Sequence, residues 1–271
     1  VEQSHWYSLW EESFPRDAKN IQSIIDLTTD DPSMVNVRSA ARIMKVLIYS
    51  KITDLYGDIP YSQAVKGFTE GILTPEYDRQ QDIYADFFNE LDEAVAAFDE
   101  NQEPISSDLF FGGDLDKWRR FGNSLRLRLG FRLTKVDLAE AETQVRAAIS
   151  GGVMQSNDDN AVMLHSDFAY SSSENRGNGR SQVFNASDNS EGFRLTNTLV
   201  DHLKSTADPR LSIYGGTYTA PKGAAGRLDV TEHLQEGIVH GALWWNLWSD
   251  YGDLYDSDDN YVAYIPHVNK Y

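Results

Sequence analysis

Cysteine is missing altogether from the 271 residues, so no disulfide framework, thiolate metal site or cysteine nucleophile can exist in this chain. Basic residues are scarce. The 24 Lys and Arg face 42 Asp and Glu, giving a formal net charge of -18 that repels polyanions and argues against nucleic acid as a partner. No run of about eighteen apolar residues occurs, so nothing reads as a membrane-spanning helix. Catalytic signatures are lacking too: there is no G-x-S-x-G elbow, H-E-x-x-H pair, Walker loop or dinucleotide-binding glycine motif. The 6 histidines include no i, i+4 pair, and His233 and His240 have no third ligand, so zinc is not expected. A glycosidase needs two carboxylates facing across a cleft, but with 42 acidic residues available their presence decides nothing.

What is abundant is aromatic surface, with 14 Tyr and 6 Trp among 12% aromatic residues. Such rings offer a flat apolar face and a polar tip, which suits packing and carbohydrate contact alike. The densest cluster lies in Gly241 to Tyr271, where neither helical nor alternating spacing accounts for it. Trp244, Trp245 and Trp248, with Asn246 and Asp250, combine stacking faces and hydroxyl-binding groups in one short stretch. Trp6 and Tyr7 either join that surface or dock the N-terminal segment. Packing beneath a loop accounts for tryptophans at this density equally well. Asp256 to Asn260 begins like a calcium loop, but Tyr261 replaces the required glycine and His267 the bidentate glutamate, so an EF-hand is excluded and an acidic solvated turn is the preferred reading.

Helical periodicity organises the first half. The key stretch is Trp118 to Val136, where Trp118, Phe121, Leu125, Leu129, Leu133 and Val136 step by three or four residues into one buried stripe. Leu127 and Phe131 lie opposite, so a second neighbour should cover that side and make this an inner helix. Its arginines, Arg119, Arg120, Arg126, Arg128 and Arg132, read as structural ion pairs rather than a basic groove, given the acidic balance. Further helices are predicted over Arg16 to Thr29, Arg38 to Leu55, Arg79 to Phe98, Leu138 to Ser150 and Glu191 to Ser205. Their inward residues include Leu55 in the second, Leu138 in the fourth, and Thr196 and Leu199 in the last. Gly57 and Pro60 stop the second helix, and Tyr61 to Tyr77, with Gly67, Gly71 and Pro75, reads as an irregular crossing. Asp137 is expected to cap the Leu138 helix and Gly151-Gly152 to end it, closing an antiparallel helical hairpin. Ser166 to Gly192 is a long Ser, Asn and Gly-rich loop, and Ile213 to Thr219 is strand-like.

Four blocks together resemble the SusD/RagB family of nutrient-binding outer-membrane lipoproteins, in its SusD-like branch: Ala41 to Ala64, Pro75 to Ala94, Trp118 to Leu133 and Leu199 to Leu211. Their order and spacing agree over most of residues 16 to 211. The resemblance implies an all-α fold, a tetratricopeptide-like array of helical hairpins with long irregular loops and short strands. It also implies a lipid anchor on an N-terminal cysteine at the outer face of the outer membrane, and a SusC-like TonB-dependent transporter as partner. The chain carries neither leader nor lipid-bearing cysteine, which points to processing or to a trimmed chain, and it stops before the family's C-terminal helices. A single SusD-like domain over 1–271, truncated at its C-terminus, is therefore expected, with the helical scaffold at about 16–151 and a loop-rich ligand-presenting part at about 152–271.

The functional expectation is a binding protein, not an enzyme, that captures oligosaccharides for import, with Trp244, Trp245, Asn246, Trp248, Asp250, Trp6 and Tyr7 as ligand-binding residues. Peptide capture in the manner of RagB is the alternative, and a glycoside hydrolase on a helical scaffold the third reading. No cofactor, metal or catalytic residue is expected.

Overall fold

Helical spacing in the sequence becomes helix in the computed structural model, which describes residues 9–166, 195–219, 227–229 and 267–268. The chain divides into two units, residues 1–164 and 165–271.

In the first unit, residues 9–28 are continuously helical, starting earlier than the predicted Arg16. Pro15 has no amide hydrogen to donate, and around it the helix widens into a π-helical segment, Ser13–Ala18. The Lys19 amide there reaches the Phe14 carbonyl, five residues back. The regular part is α1, Lys19–Thr28. Helix α2, Val35–Tyr56, begins before the predicted Arg38 because Asp31 accepts the Ser33 amide and Pro32 opens a single 3-10 turn that feeds the helix. It ends as expected at Gly57, whose φ of +76° side chains disfavour. Helix α3, Gln80–Ala97, follows the irregular crossing. Helix α4, Leu115–Arg132, is capped by Asp114, and α5, Leu138–Gly151, by Asp137.

The core forms where α2, α3 and α4 meet. Ile43, Val46, Tyr49 and Ile52 of α2 face Ile83, Phe87 and Leu91 of α3 and Trp118, Leu125 and Leu129 of α4 in one buried cluster. Two polar side chains tie the elements around it together. Asn36 is fully buried, donates to the Asp99 and Glu103 carbonyls at 2.8 and 3.0 Å, and accepts the Asp99 amide at 2.9 Å, tying α2 to the end of α3. Asp108 gathers the amides of Phe110, Phe111 and Gly113 and the Trp118 indole N–H at 2.8 Å, so the loop before α4 is wound on one carboxylate.

Helix α4 is an inner helix, but not in the way its letters suggested. Phe131 is 56% exposed, and beside the buried Trp118, Leu125 and Leu129 the closest approaches to neighbouring helices are made at glycines. Gly122 lies against Val95 of α3 and Ile43 of α2, and Gly130 against Gln144 and Val145 of α5. The stripe also stops early. Asp137 must leave helical geometry to cap α5, so the chain turns through 3-10 residues Leu133–Lys135 and Val136 is left 80% exposed. Leu55 and Leu138, read as inward, are exposed for the same reason, each standing at a helix end past the last packed turn. Four of the five arginines form ion pairs, Arg119 with Asp116 at 2.7 Å, Arg120 with Asp159 at 2.8 Å, Arg126 with Asp92 at 2.5 Å and Arg132 with Asp54 at 2.8 Å, while Arg128 is exposed.

In the second unit, α6, Asn197–Ser205, and the single turn α7, Leu211–Tyr214, bury Leu195, Val200, Leu203 and Leu211 together. Thr196 does not point inward; it caps α6 by accepting the Leu199 amide, and Leu199 itself is exposed. Strand β1, Gly215–Thr219, lies between β2, Arg227–Asp229, and β3, His267–Val268, antiparallel to both, with Tyr218 opposite Leu228 and Gly216 opposite His267. The described architecture is thus mostly helical with short strands, as the sequence leads one to expect.

Candidate functional site

The crossing between α2 and α3 is irregular in backbone yet tightly anchored. Ile59 and Asp78 exchange backbone hydrogen bonds at 3.3 and 2.9 Å, pinching its two ends together. The Asp78 carboxylate then accepts the amides of Tyr61 and Ser62 at 2.9 and 2.8 Å and the Ser62 hydroxyl at 2.8 Å. Burial opposes its ionisation, but the bonds from Ser62 and Tyr61 outweigh that and hold the carboxyl below the usual carboxylate range. Behind the loop, Tyr61 donates to Asp86 at 2.5 Å, and Lys45 stands 4.9 Å from its ring centre. Burial, then the bond to Asp86, pushes the Tyr61 phenol well up, so it remains a neutral donor. Glu90 completes this layer. Burial disfavours its charge, yet Lys45 and Arg42, at 3.1 and 2.5 Å, keep it below the ordinary glutamate range.

On this rigid base the loop and the N-terminal helix enclose an apolar groove of ≈ 510 Å³, with Trp10, Phe14, Pro60, Phe68, Leu73 and Pro75 among its walls. Phe68 is fully exposed and Tyr77 is 63% exposed. Trp10 holds the wall together: its ring stacks on Tyr77 at 6.1 Å and 19°, meets Tyr56 edge-on at 5.2 Å, and packs on Phe14 at 4.8 Å. The π-helical turn lies between Trp10 and α1, and one residue of extra winding turns what precedes it, Trp10 included, by about 100°. Val65, a β-branched residue, sits in the left-handed region at φ +56°, a strain on the order of 1–3 kcal/mol that the anchored loop sustains beside the groove. A solvent-facing aromatic wall over a fixed base can stack flat, partly apolar ligands; Lys19 at its margin can bond hydroxyls.

The residues expected from sequence to bind ligand, Trp6, Tyr7, Trp244, Trp245, Asn246, Trp248 and Asp250, all lie outside the described residues, as does the acidic turn at 256–260. The groove was not foreseen. Phe68 and Leu73 sit in a stretch without periodicity, where the only signal was two apolar side chains between glycines and a proline. Among the described residues no group of three His, Asp or Glu is placed to hold a metal, and no helix is long and apolar enough to cross a membrane.

Residues 1–235 match the SusD-like family described as starch-binding and associating with the outer membrane. Among solved structures, the chain is similar to a chitin-binding protein at 36% identity, with a TM-score of 0.75, covering 90% of this chain and 50% of that one. It is similar to a SusD-like protein, Bacteroidetes AC2a, at 30% identity and a TM-score of 0.80, covering 99% of this chain and 58% of that one. A chitin-binding SusD homolog from Flavobacterium johnsoniae, 23% identical with a TM-score of 0.65 over 96% of this chain and 50% of that one, shares the fold. The chain therefore spans about half the length of the solved structures it matches. No curated protein matches it.

Proposed function

Because the chain belongs to the SusD-like family, we propose that it is part of a non-catalytic, cell-surface glycan-binding protein of the outer membrane that captures oligosaccharides for a SusC-like TonB-dependent transporter. The observation that carries this reading is the exposed aromatic groove on a braced loop, with Phe68 and Tyr77 free to stack on the C–H face of a sugar ring. The likeness to a chitin-binding protein at 36% identity supports a neutral polysaccharide as ligand. So does the net charge of -18, which disfavours acidic glycans. Trp244, Trp245, Asn246, Trp248 and Asp250, with Trp6 and Tyr7, extend the proposed ligand surface, and a lipid anchor at the outer membrane completes the proposed setting.

Calorimetric titration with oligosaccharides derived from starch and chitin, and with peptides, tests the ligand class. Phe68→Ala, Tyr77→Ala and Trp245→Ala should each weaken glycan binding by about tenfold, roughly 1.4 kcal/mol. Binding of peptides with no glycan heat would replace this reading by peptide capture, and release of shortened glycans on long incubation would make the protein a hydrolase. The transporter partner is tested separately by affinity purification from detergent-solubilised outer membrane: a β-barrel protein should co-elute in stoichiometric amount, and repeated recovery of the protein alone would remove the partner from the account.

A further inference from the structure

At the same ends of α2 and α3, but with no lining residue in common with the groove, the first unit holds a second and larger cavity, ≈ 680 Å³. It opens where the last turn of α2, the first turns of α3, the end of α4 and the start of α5 converge. Its polar side is built, not incidental. Asp54 has both carboxylate oxygens fixed, one by the Tyr84 hydroxyl at 2.6 Å and the other by Arg132 at 2.8 Å. Gln80 donates to the Thr53 carbonyl at 2.7 Å, which orients its amide and leaves the amide oxygen uncommitted by that bond. Arg132 pairs with Asp54 and also bonds the Tyr84 hydroxyl, while 43% of its side chain stays accessible to a ligand. Leu133 and Val136 supply an apolar wall, with Phe88 beneath.

The electrostatics narrow the occupant. Asp54 and Arg132 cancel each other, so this pair offers fixed donors and acceptors side by side without a net charge of its own. Asp137 and Glu140 line the same cavity and disfavour phosphate, uronate or sulfate. A volume within the roughly 300–1,000 Å³ of small-molecule sites, an apolar wall and a few oriented polar groups fit one chemistry well: a neutral sugar, with C–H faces for Leu133 and Val136 and hydroxyls for Arg132 and Gln80. We propose that the cavity bounded by Asp54, Tyr84, Arg132 and Val136 is a second binding site for neutral oligosaccharide, independent of the aromatic groove. Two sites on one molecule hold a polysaccharide at two points, so release of one does not lose the chain and apparent affinity rises with glycan length.

This site rests on the glycan-capture reading, and the test separates the two. Val136 and Gln81 are both exposed, so Val136→Trp and Gln81→Trp fill the cavity from opposite walls without disturbing buried packing. Each is made in a Phe68→Ala, Tyr77→Ala background that silences the groove, and titrated with maltoheptaose, hexa-N-acetylchitohexaose and an oligogalacturonate; thermal unfolding confirms the fold of each. The background variant should retain neutral-glycan binding, either tryptophan should weaken it at least tenfold, and the oligogalacturonate should give no heat. Residual binding untouched by both tryptophans overturns the second site alone. Binding of the oligogalacturonate that the tryptophans abolish overturns the choice of a neutral ligand. If the unmodified protein binds no glycan at all, the capture reading fails and this site with it.

Discussion

Replacing Phe87 with alanine should lower the unfolding free energy by about 3–5 kcal/mol, near the top of the range for a buried aromatic ring. Phe87 is fully buried, with the Tyr61 ring 5.6 Å away edge-on and the Tyr84 ring at 5.5 Å. Such contacts add about 0.5–1.5 kcal/mol beyond simple burial. The space left behind cannot close easily. Tyr61 is held at its hydroxyl by Asp86 and Tyr84 by Asp54, so the two rings that would have to move inward are tethered at their outer ends. Tyr61 meets Tyr49 at 4.9 Å, and its backbone amide belongs to the Asp78 brace, so the loss also loosens the loop that carries Phe68. Urea unfolding should show a lower midpoint at unchanged slope, with Phe87→Leu recovering part of the difference and glycan affinity falling in the alanine variant. A loss under about 1 kcal/mol would mean that the cavity does collapse and that this ring layer is not the rigid base described.

How much of this could be read in advance follows from what each element depends on. The helices were legible because their buried residues recur at helical spacing: Ile83, Phe87 and Leu91 in α3, and Trp118, Leu125 and Leu129 in α4, were identifiable as one face and are one face. Stops were legible where a single residue carries the geometry, as at Gly57 and Gly152, both with positive φ. Periodicity fails at helix ends. Leu55, Val136 and Leu138 have the right phase but no neighbouring turn to pack on. It fails also where contact is made by the absence of a side chain, since Gly122 and Gly130 add nothing to a hydrophobic pattern although they mark where other helices come closest. The groove was hidden for a third reason. Trp10, Phe68 and Tyr77 are far apart in sequence and come together through a proline-centred π turn and one aspartate that gathers a loop, and neither device has a period. Family resemblance gave the helical fold, because it depends on the order of blocks rather than on their local spacing, but it did not point to the groove.

The second large effect is expected at one of those glycines. A β-carbon at position 122 would lie 2.6 Å from the Val95 Cγ2 and 3.1 Å from the Ile43 Cδ1, closer than non-bonded carbons approach. Alanine there gains about 1 kcal/mol of helix propensity over glycine, which partly offsets the clash, so Gly122→Ala should cost little net. Leucine receives the same propensity gain but places three more carbons where the first already overlaps. Val95 belongs to α3 and Ile43 to the fully buried wall of α2, so the strain cannot be relieved by one side chain; the helices must separate. Overpacking of this kind costs about 1–3 kcal/mol or somewhat more, and Gly122→Leu should reach the upper end of that range. Phe131→Leu on the opposite, exposed side of the same helix should be close to neutral. Measured together by chemical denaturation, the pair decides which face of α4 is inner. A leucine tolerated at 122 and a large loss at 131 would reverse the packing described, and would put a neighbour against Phe131, as helical spacing alone had suggested.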